Sequence, residues 1–290
     1  MRRPTIAALV LTAATGMVIG AASPQQQQKS YLVTVIAESG APVTNLTAKD
    51  FIVHEEDVRR QVVSAERAGF PLTVSLLIDM TQPALESNMI TQDLRRAVAS
   101  FVAALRASQP GARIALVEVG GGAVTTADFD AAPDVLDAAA ERLFPAHPSD
   151  AILLEAIGEA ARSLQAVATP RRAIVTVDFN SSESLSEGTM KRMTADLQRS
   201  GATVWSVSVR LPRAGSSRRE GALNLITKQT GGVRIVAGAS SGLAAQLKKV
   251  ADSLASQYLV DFTRPADAPL KPLRITTAQR HTVHVSPMSR

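Results

Sequence analysis

The sequence predicts an α/β protein: a doubly wound, mostly parallel six-stranded sheet, with a small β module formed by N- and C-terminal segments. Three observations predict it. Leu72 to Ile78 is a nearly unbroken apolar, β-branched run that stops abruptly at Asp79, the pattern of a strand buried on both faces of a parallel sheet. Arg172 to Val177 repeats the pattern and stops at Asp178. Around these two runs, apolar strands alternate with helix-period segments, which calls for crossover connections and helices on both faces.

The elements follow in order. Arg2 and Arg3 precede an apolar stretch from Ile6 to Ala21 that ends in Gly20, Ala21, Ala22 and Ser23. That is the pattern of a secretory signal peptide over residues 1–22, with an uncleaved membrane anchor as the alternative. Residues 23–29, Gln-rich, read as a flexible leader. Residues 30–68 form the N-terminal β module: Tyr31 to Ile36 alternates tightly, and Phe51 to Val53 and Gln61 to Val63 flank the charged turn Glu55-Glu56-Asp57. Gly69-Phe70-Pro71 marks the boundary to the α/β domain, residues 70–262.

After the first strand, Gln82-Pro83 suits a helix start, because proline's fixed φ and missing N–H fit the first turn. The helix runs to Arg106, with Leu94, Val98, Phe101, Val102 and Leu105 on its buried stripe. Arg113 to Val119 is the next buried strand. Gly120-Gly121-Gly122 turns the chain into a short antiparallel strand, Ala123 to Thr126. Pro133 to Leu143 is helical, and Ser149-Asp150 is a cap for a helix from Ala151 to Val167. The strand that ends on Asp178 leads through a polar loop, Asn180 to Ser186, into a helix from Glu187 to Arg199. The strand Ala202 to Val209, a basic loop and a helix closed by Gly231-Gly232 come next. A strand at Val233 to Val236 and a helix at Ser240 to Ala255 complete the alternation, and Tyr258 to Phe262 is extended. Residues 263–290 supply a linker and a closing hairpin, Leu273 to Thr277 with Thr282 to Val285, that joins the β module.

Composition narrows the function. The formal charge of +5 falls to +3 once Arg2 and Arg3 are set aside, too small an excess to point to nucleic acid. The absence of cysteine excludes disulfides, cysteine-ligated zinc and thiol catalysis. No stretch beyond the signal is long and apolar enough to span a bilayer. Aromatics make up only 3% of residues, so the core is aliphatic, and Trp205 reads as packing. The triple glycine reads as a turn, because a phosphate cradle needs a helix directly after it. His281 and His284 sit three apart in an extended segment, on opposite faces.

Several stretches together resemble the exported bacterial VWFA-related family, built on the von Willebrand factor type A domain. They are Asp79-Met80-Thr81-Gln82-Pro83, Leu46-Thr47-Ala48-Lys49-Asp50-Phe51 with Glu55-Glu56-Asp57, and Leu153-Leu154-Glu155-Ala156-Ile157. Gln229-Thr230-Gly231-Gly232 and Gln257-Tyr258-Leu259-Val260 complete the set, and the likeness runs over residues 30 to 287. The resemblance implies a metal-ion-dependent adhesion site holding Mg²⁺ or Mn²⁺ above the first and fourth strands, where a partner's carboxylate completes the coordination. Asp79, Thr81 and Asp178 match that site as metal ligands. Pro83 and Ala151 replace two of its hydroxyl residues, which leaves it degenerate, with Ser149 or Asp150 as substitutes beside the gap.

Gln82, Asn180, Ser181, Arg218 and Arg219 are the ligand-binding candidates, since their loops share the C-terminal edge of the sheet. The basic loop would meet an acidic partner segment. No catalytic residue set emerges. The expectation is an exported, periplasmic or secreted, non-enzymatic binding protein. Its partner would be an unidentified protein or cell-surface ligand. A metal-assisted hydrolase using Asp79 and Asp178, and a structural envelope protein with a dead cation site, are the alternatives.

Overall fold

The computed structural model describes residues 25–81, 87–145, 152–179, 183, 186–210 and 218–287. At its centre lies β5 (Leu72–Asp79), in which every residue is buried. It pairs in parallel with β6 (Arg113–Val119) on one side and β8 (Arg171–Asp178) on the other. The sheet continues through β9 (Thr203–Val209) to β10 (Arg234–Ala237), both parallel, and closes at its other edge with β7 (Ala123–Ala127), antiparallel to β6. The order β10-β9-β8-β5-β6-β7 is the doubly wound, mostly parallel, six-stranded sheet that the apolar runs predict.

Strand alternation divides the core. Leu72, Val74, Leu76 and Ile78 pack under α1 (Ser87–Ser108), α2 (Pro133–Arg142) and α6 (Leu243–Ala255). Leu77 faces the other way, toward α3 (Leu153–Gln165), α4 (Glu187–Ser200) and α5 (Arg218–Thr230), as do Ile174 of β8 and Val204 of β9. Leu94, Val98, Phe101, Val102 and Leu105 form the buried stripe of α1 as its spacing predicts. Each such side chain contributes about 1.5–3 kcal/mol by leaving water. The sequence ends α4 cleanly. Ser186 Oγ accepts the Thr189 N–H at the start of α4, and Gly201 closes that helix at φ 63°, a conformation that glycine adopts without a Cβ penalty.

The β module differs in three ways from the sequence expectation. First, β1 (Gln26–Ile36) begins inside the stretch read as a flexible leader: Gln26 to Gln28 pair with Thr263 to Pro265. A ladder of backbone hydrogen bonds needs no apolar side chain, so polar glutamines give no signal of it. Second, β11 (Tyr258–Pro265), read as the end of the α/β domain, lies in a four-stranded antiparallel sheet with β1, β4 (Val62–Arg67) and β13 (Thr282–Pro287). Its strict alternation of buried and half-buried residues is that of a sheet packed on one face. Third, the closing hairpin is not one. β12 (Leu273–Thr277) pairs with β2 (Phe51–Glu55), whereas β13 pairs with β1. Each arm finds a five- or six-residue partner elsewhere. β3 (Val58–Arg60) completes the three-stranded sheet β12-β2-β3.

Arg171 fastens the module to the α/β domain. Its guanidinium is fully buried and donates to the carbonyls of Ala68, Phe70 and Leu254 at 2.9, 2.9 and 2.7 Å. Burial lowers its pKa to about 10, which leaves it charged at neutral pH. Gly231 makes a second junction. Gly231 has φ +77°, and a Cβ there would meet Val285 O of β13 at 2.3 Å.

Candidate functional site

Asp79 and Asp178 end adjacent parallel strands, with Ile78 and Val177 in register just before them. By alternation, both carboxylates face the α3–α5 side, and both residues are buried. The sequence-based pairing of these two strand ends therefore holds in the fold. Their partners differ from those the resemblance implies.

Asp79 Oδ1 accepts the Thr81 backbone N–H at 2.9 Å and the Thr81 hydroxyl at 2.5 Å. Asp79 Oδ2 accepts from Arg219 Nη1 at 3.0 Å. The same guanidinium donates through Nε to Glu183 Oε2 at 2.9 Å. The Arg219 and Asp79 side chains are 1% and 0% exposed, which makes this an interior ion pair. Arg219 sits in the first turn of α5, where the helix dipole disfavours a cation. The two carboxylates reverse that preference.

Glu183 also serves α3. Its carboxylate accepts the Leu154 N–H at 3.0 and 3.2 Å from its two oxygens. The residue at the N-cap position, Ile152, makes no side-chain cap bond, so a distant loop residue satisfies a first-turn donor of the helix. Burial pushes the Glu183 carboxyl above the usual range, and the Asp79 charge adds to the rise. Arg219 and the Leu154 N–H pull the other way. Asp178 Oδ2 accepts from Ser208 Oγ at 2.7 Å and Ser206 Oγ at 3.4 Å, both on β9.

Among the described residues, the groups around Asp79 do not fit a divalent ion there. An ion on Oδ2 would share that oxygen with a guanidinium. Charges of +2 and +1 about 4 Å apart repel by roughly 8 kcal/mol at an effective dielectric of about 20. Among the described residues, no group of three or more His, Cys, Asp or Glu side chains is arranged to hold a metal. Gln82, Ser149, Asp150, Asn180 and Ser181 lie outside the described residues.

The structure separates the two arginines of the basic loop. Arg218 is exposed, as a ligand-facing residue requires, but Arg219 is buried and cannot meet a partner. One helical position turns the side chain by about 100°. Arg218 borders a cleft of about 450 Å³ between α4 and α5, lined also by Glu187, Met190, Lys191, Ala222 and Leu225. Both helices begin at the C-terminal edge of the sheet, because each follows a parallel strand. Leu225 is 48% exposed, so an apolar side chain stands open in the cleft. Sequence reasoning missed Glu183, Ser206 and Ser208. The two serines carry a readable signal, since hydroxyls inside a fully buried strand need a partner. Glu183 has no such pattern around it. Trp205 is buried and donates from Nε1 to Thr203 Oγ1, a packing role.

No protein-family model matches the chain, and no curated protein matches it. Among solved structures, a von Willebrand factor type A protein from Catenulispora acidiphila matches with a TM-score of 0.55 at 10% identity, over 94% of this chain and 75% of its own. The conserved hypothetical protein BatB from Bacteroides thetaiotaomicron matches at 0.45 and 18% identity, over 63% of this chain and 98% of its own. The SpRpn10 VWA domain matches at 0.47 and 13% identity, over 60% and 94%. Identities this low speak to fold alone, and of these three only the first has a TM-score above 0.5. With the sheet order and the helices on both faces, it shows that the chain has the von Willebrand factor type A fold.

Proposed function

We propose that the protein is an exported, non-enzymatic binding protein, periplasmic or secreted, that takes an acidic segment of a protein partner into the cleft between α4 and α5. The observation that carries this reading is the cleft itself. Met190, Ala222 and Leu225 give it an apolar floor, and Arg218 and Lys191 stand exposed at its border. Apolar contact supplies affinity there, and the two cations select and steer an acidic segment. Export is supported by Arg2 and Arg3 ahead of the apolar run from Ile6 to Ala21. The hydrolase alternative is disfavoured because Asp79 and Asp178 already accept internal hydrogen bonds. A general base needs a lone pair within reach of substrate.

The test compares the wild type with Lys191→Glu/Arg218→Glu in cross-linked capture from an envelope extract. The expected result is a salt-sensitive protein partner that the double variant no longer retains. Equal retention by both forms would overturn the cleft as the docking surface, and fractionation of the chain to the cytosol would overturn export.

A further inference from the structure

We propose that Arg219 is the resident cation of the sheet's C-terminal edge: its guanidinium does the electrostatic work of a divalent ion, and this edge keeps its shape without bound metal. The geometry is the argument. One guanidinium bridges Asp79, at the end of the central strand, and Glu183, in the loop after the neighbouring strand, at 3.0 and 2.9 Å. A buried carboxylate requires a partner of opposite charge or several donors. Asp79 has the arginine on one oxygen and Thr81 on the other.

The planar fork of the guanidinium can serve two carboxylates in fixed directions, which an ammonium does less well. Its covalent attachment to α5 also makes it a cation that chelators cannot remove. The arrangement joins β5, α5 and, through the Glu183 bond to the Leu154 N–H, the start of α3.

The experiment uses the full chain. Calorimetric titration of the wild type with MnCl₂ and MgCl₂ is expected to be flat, and thermal unfolding in EDTA is expected to superimpose on unfolding in Mn²⁺. A one-to-one isotherm that Asp79→Asn abolishes would overturn the proposal. A ligand in large excess over its Kd raises the melting temperature, so both readouts are sensitive. Arg219→Met removes the cation that the two carboxylates share, leaving Asp79 its Thr81 bonds and Glu183 the Leu154 N–H. It is expected to melt lower than the wild type in EDTA and to gain a Mn²⁺-dependent rise. Wild-type melting in EDTA, or no such gain, would overturn the replacement. Should Arg219→Met not fold, Asp79→Asn/Glu183→Gln/Arg219→Met keeps the shape and removes the charges. Its recovery of folding supports the proposal, and its failure would reduce Arg219 to a packing role and overturn it.

Discussion

Replacing Glu183 by alanine removes two structural ties at once, and the structure sets the size of the effect. The first tie is the cap on α3, where the carboxylate accepts the Leu154 N–H at 3.0 Å. Losing such an acceptor costs about 1 kcal/mol. The second is the charge-assisted bond from Arg219 Nε at 2.9 Å, worth about 1.5–3 kcal/mol. Against these stands the desolvation that burial imposes on the carboxylate, visible in its raised pKa. The expected net loss is about 2 kcal/mol, read as a lower urea midpoint with an unchanged slope. Hydrogen exchange at the Leu154 amide should accelerate in the variant.

The sign of the pH effect follows from the direction of the shift. The folded carboxyl titrates above its unfolded range, so in between the native state keeps a proton that the unfolded chain has released. That contribution is present at pH below the unfolded pKa and is lost as pH rises through the folded one. Glu183→Gln keeps an acceptor for both donors and should lack this component of the pH dependence. A stability loss in Glu183→Ala below about 0.5 kcal/mol, together with unchanged exchange at Leu154, would refute the role given to this side chain.

Other expectations follow from the same contacts. Arg171→Met strips donors from the buried carbonyls of Ala68 and Leu254 and the half-buried one of Phe70, and should cost about 3–5 kcal/mol in urea unfolding. A loss under about 1 kcal/mol would mean that it does not fasten the module. Gly232→Ala would place a Cβ 1.9 Å from Val204 O. Its thermal unfolding should show a loss of about 3 kcal/mol or no folded protein. His284, on β13, has its pKa lowered by burial. The unfolded chain therefore takes up a proton first, and stability should fall as pH drops through the ordinary imidazole range. His284→Gln should flatten that slope between about pH 7.5 and 5.5 in melting experiments.

The six-stranded sheet was legible because its strands are buried on both faces, and such strands have little choice but continuous Val, Leu and Ile. Leu72 to Ile78 and Arg172 to Val177 stand out for that reason, and each run stops where the sheet meets polar loops. The β module was legible only in part. Gln26 to Gln28 join a sheet through backbone alone, and the segments after Leu273 divide between two sheets by competition among partners that no local pattern records. The site follows the same rule. Asp79 and Asp178 could be read from the strand ends. Glu183 could not, because its partners, Leu154 and Arg219, are 29 and 36 residues away in sequence. Arg219 looks in sequence like its neighbour Arg218, also a cation in the first turn of α5, and only the fold shows which of the two turns inward.

Adjacent arginines on α5 thus take opposite placements, one buried and one exposed. Arg219 turns inward and binds the helix start to the end of the central strand, so the first turn of α5 is held at both carboxylates. Arg218, one position earlier, is carried by that same turn and faces the cleft with Lys191. Its placement is consequently tied to a buried ion pair. A buried pair is weakly screened by salt, whereas an exposed cation is strongly screened. High ionic strength should therefore weaken the proposed recognition at the cleft while leaving the anchoring of the helix intact. That separation is possible only because the cation at the sheet edge is part of the chain.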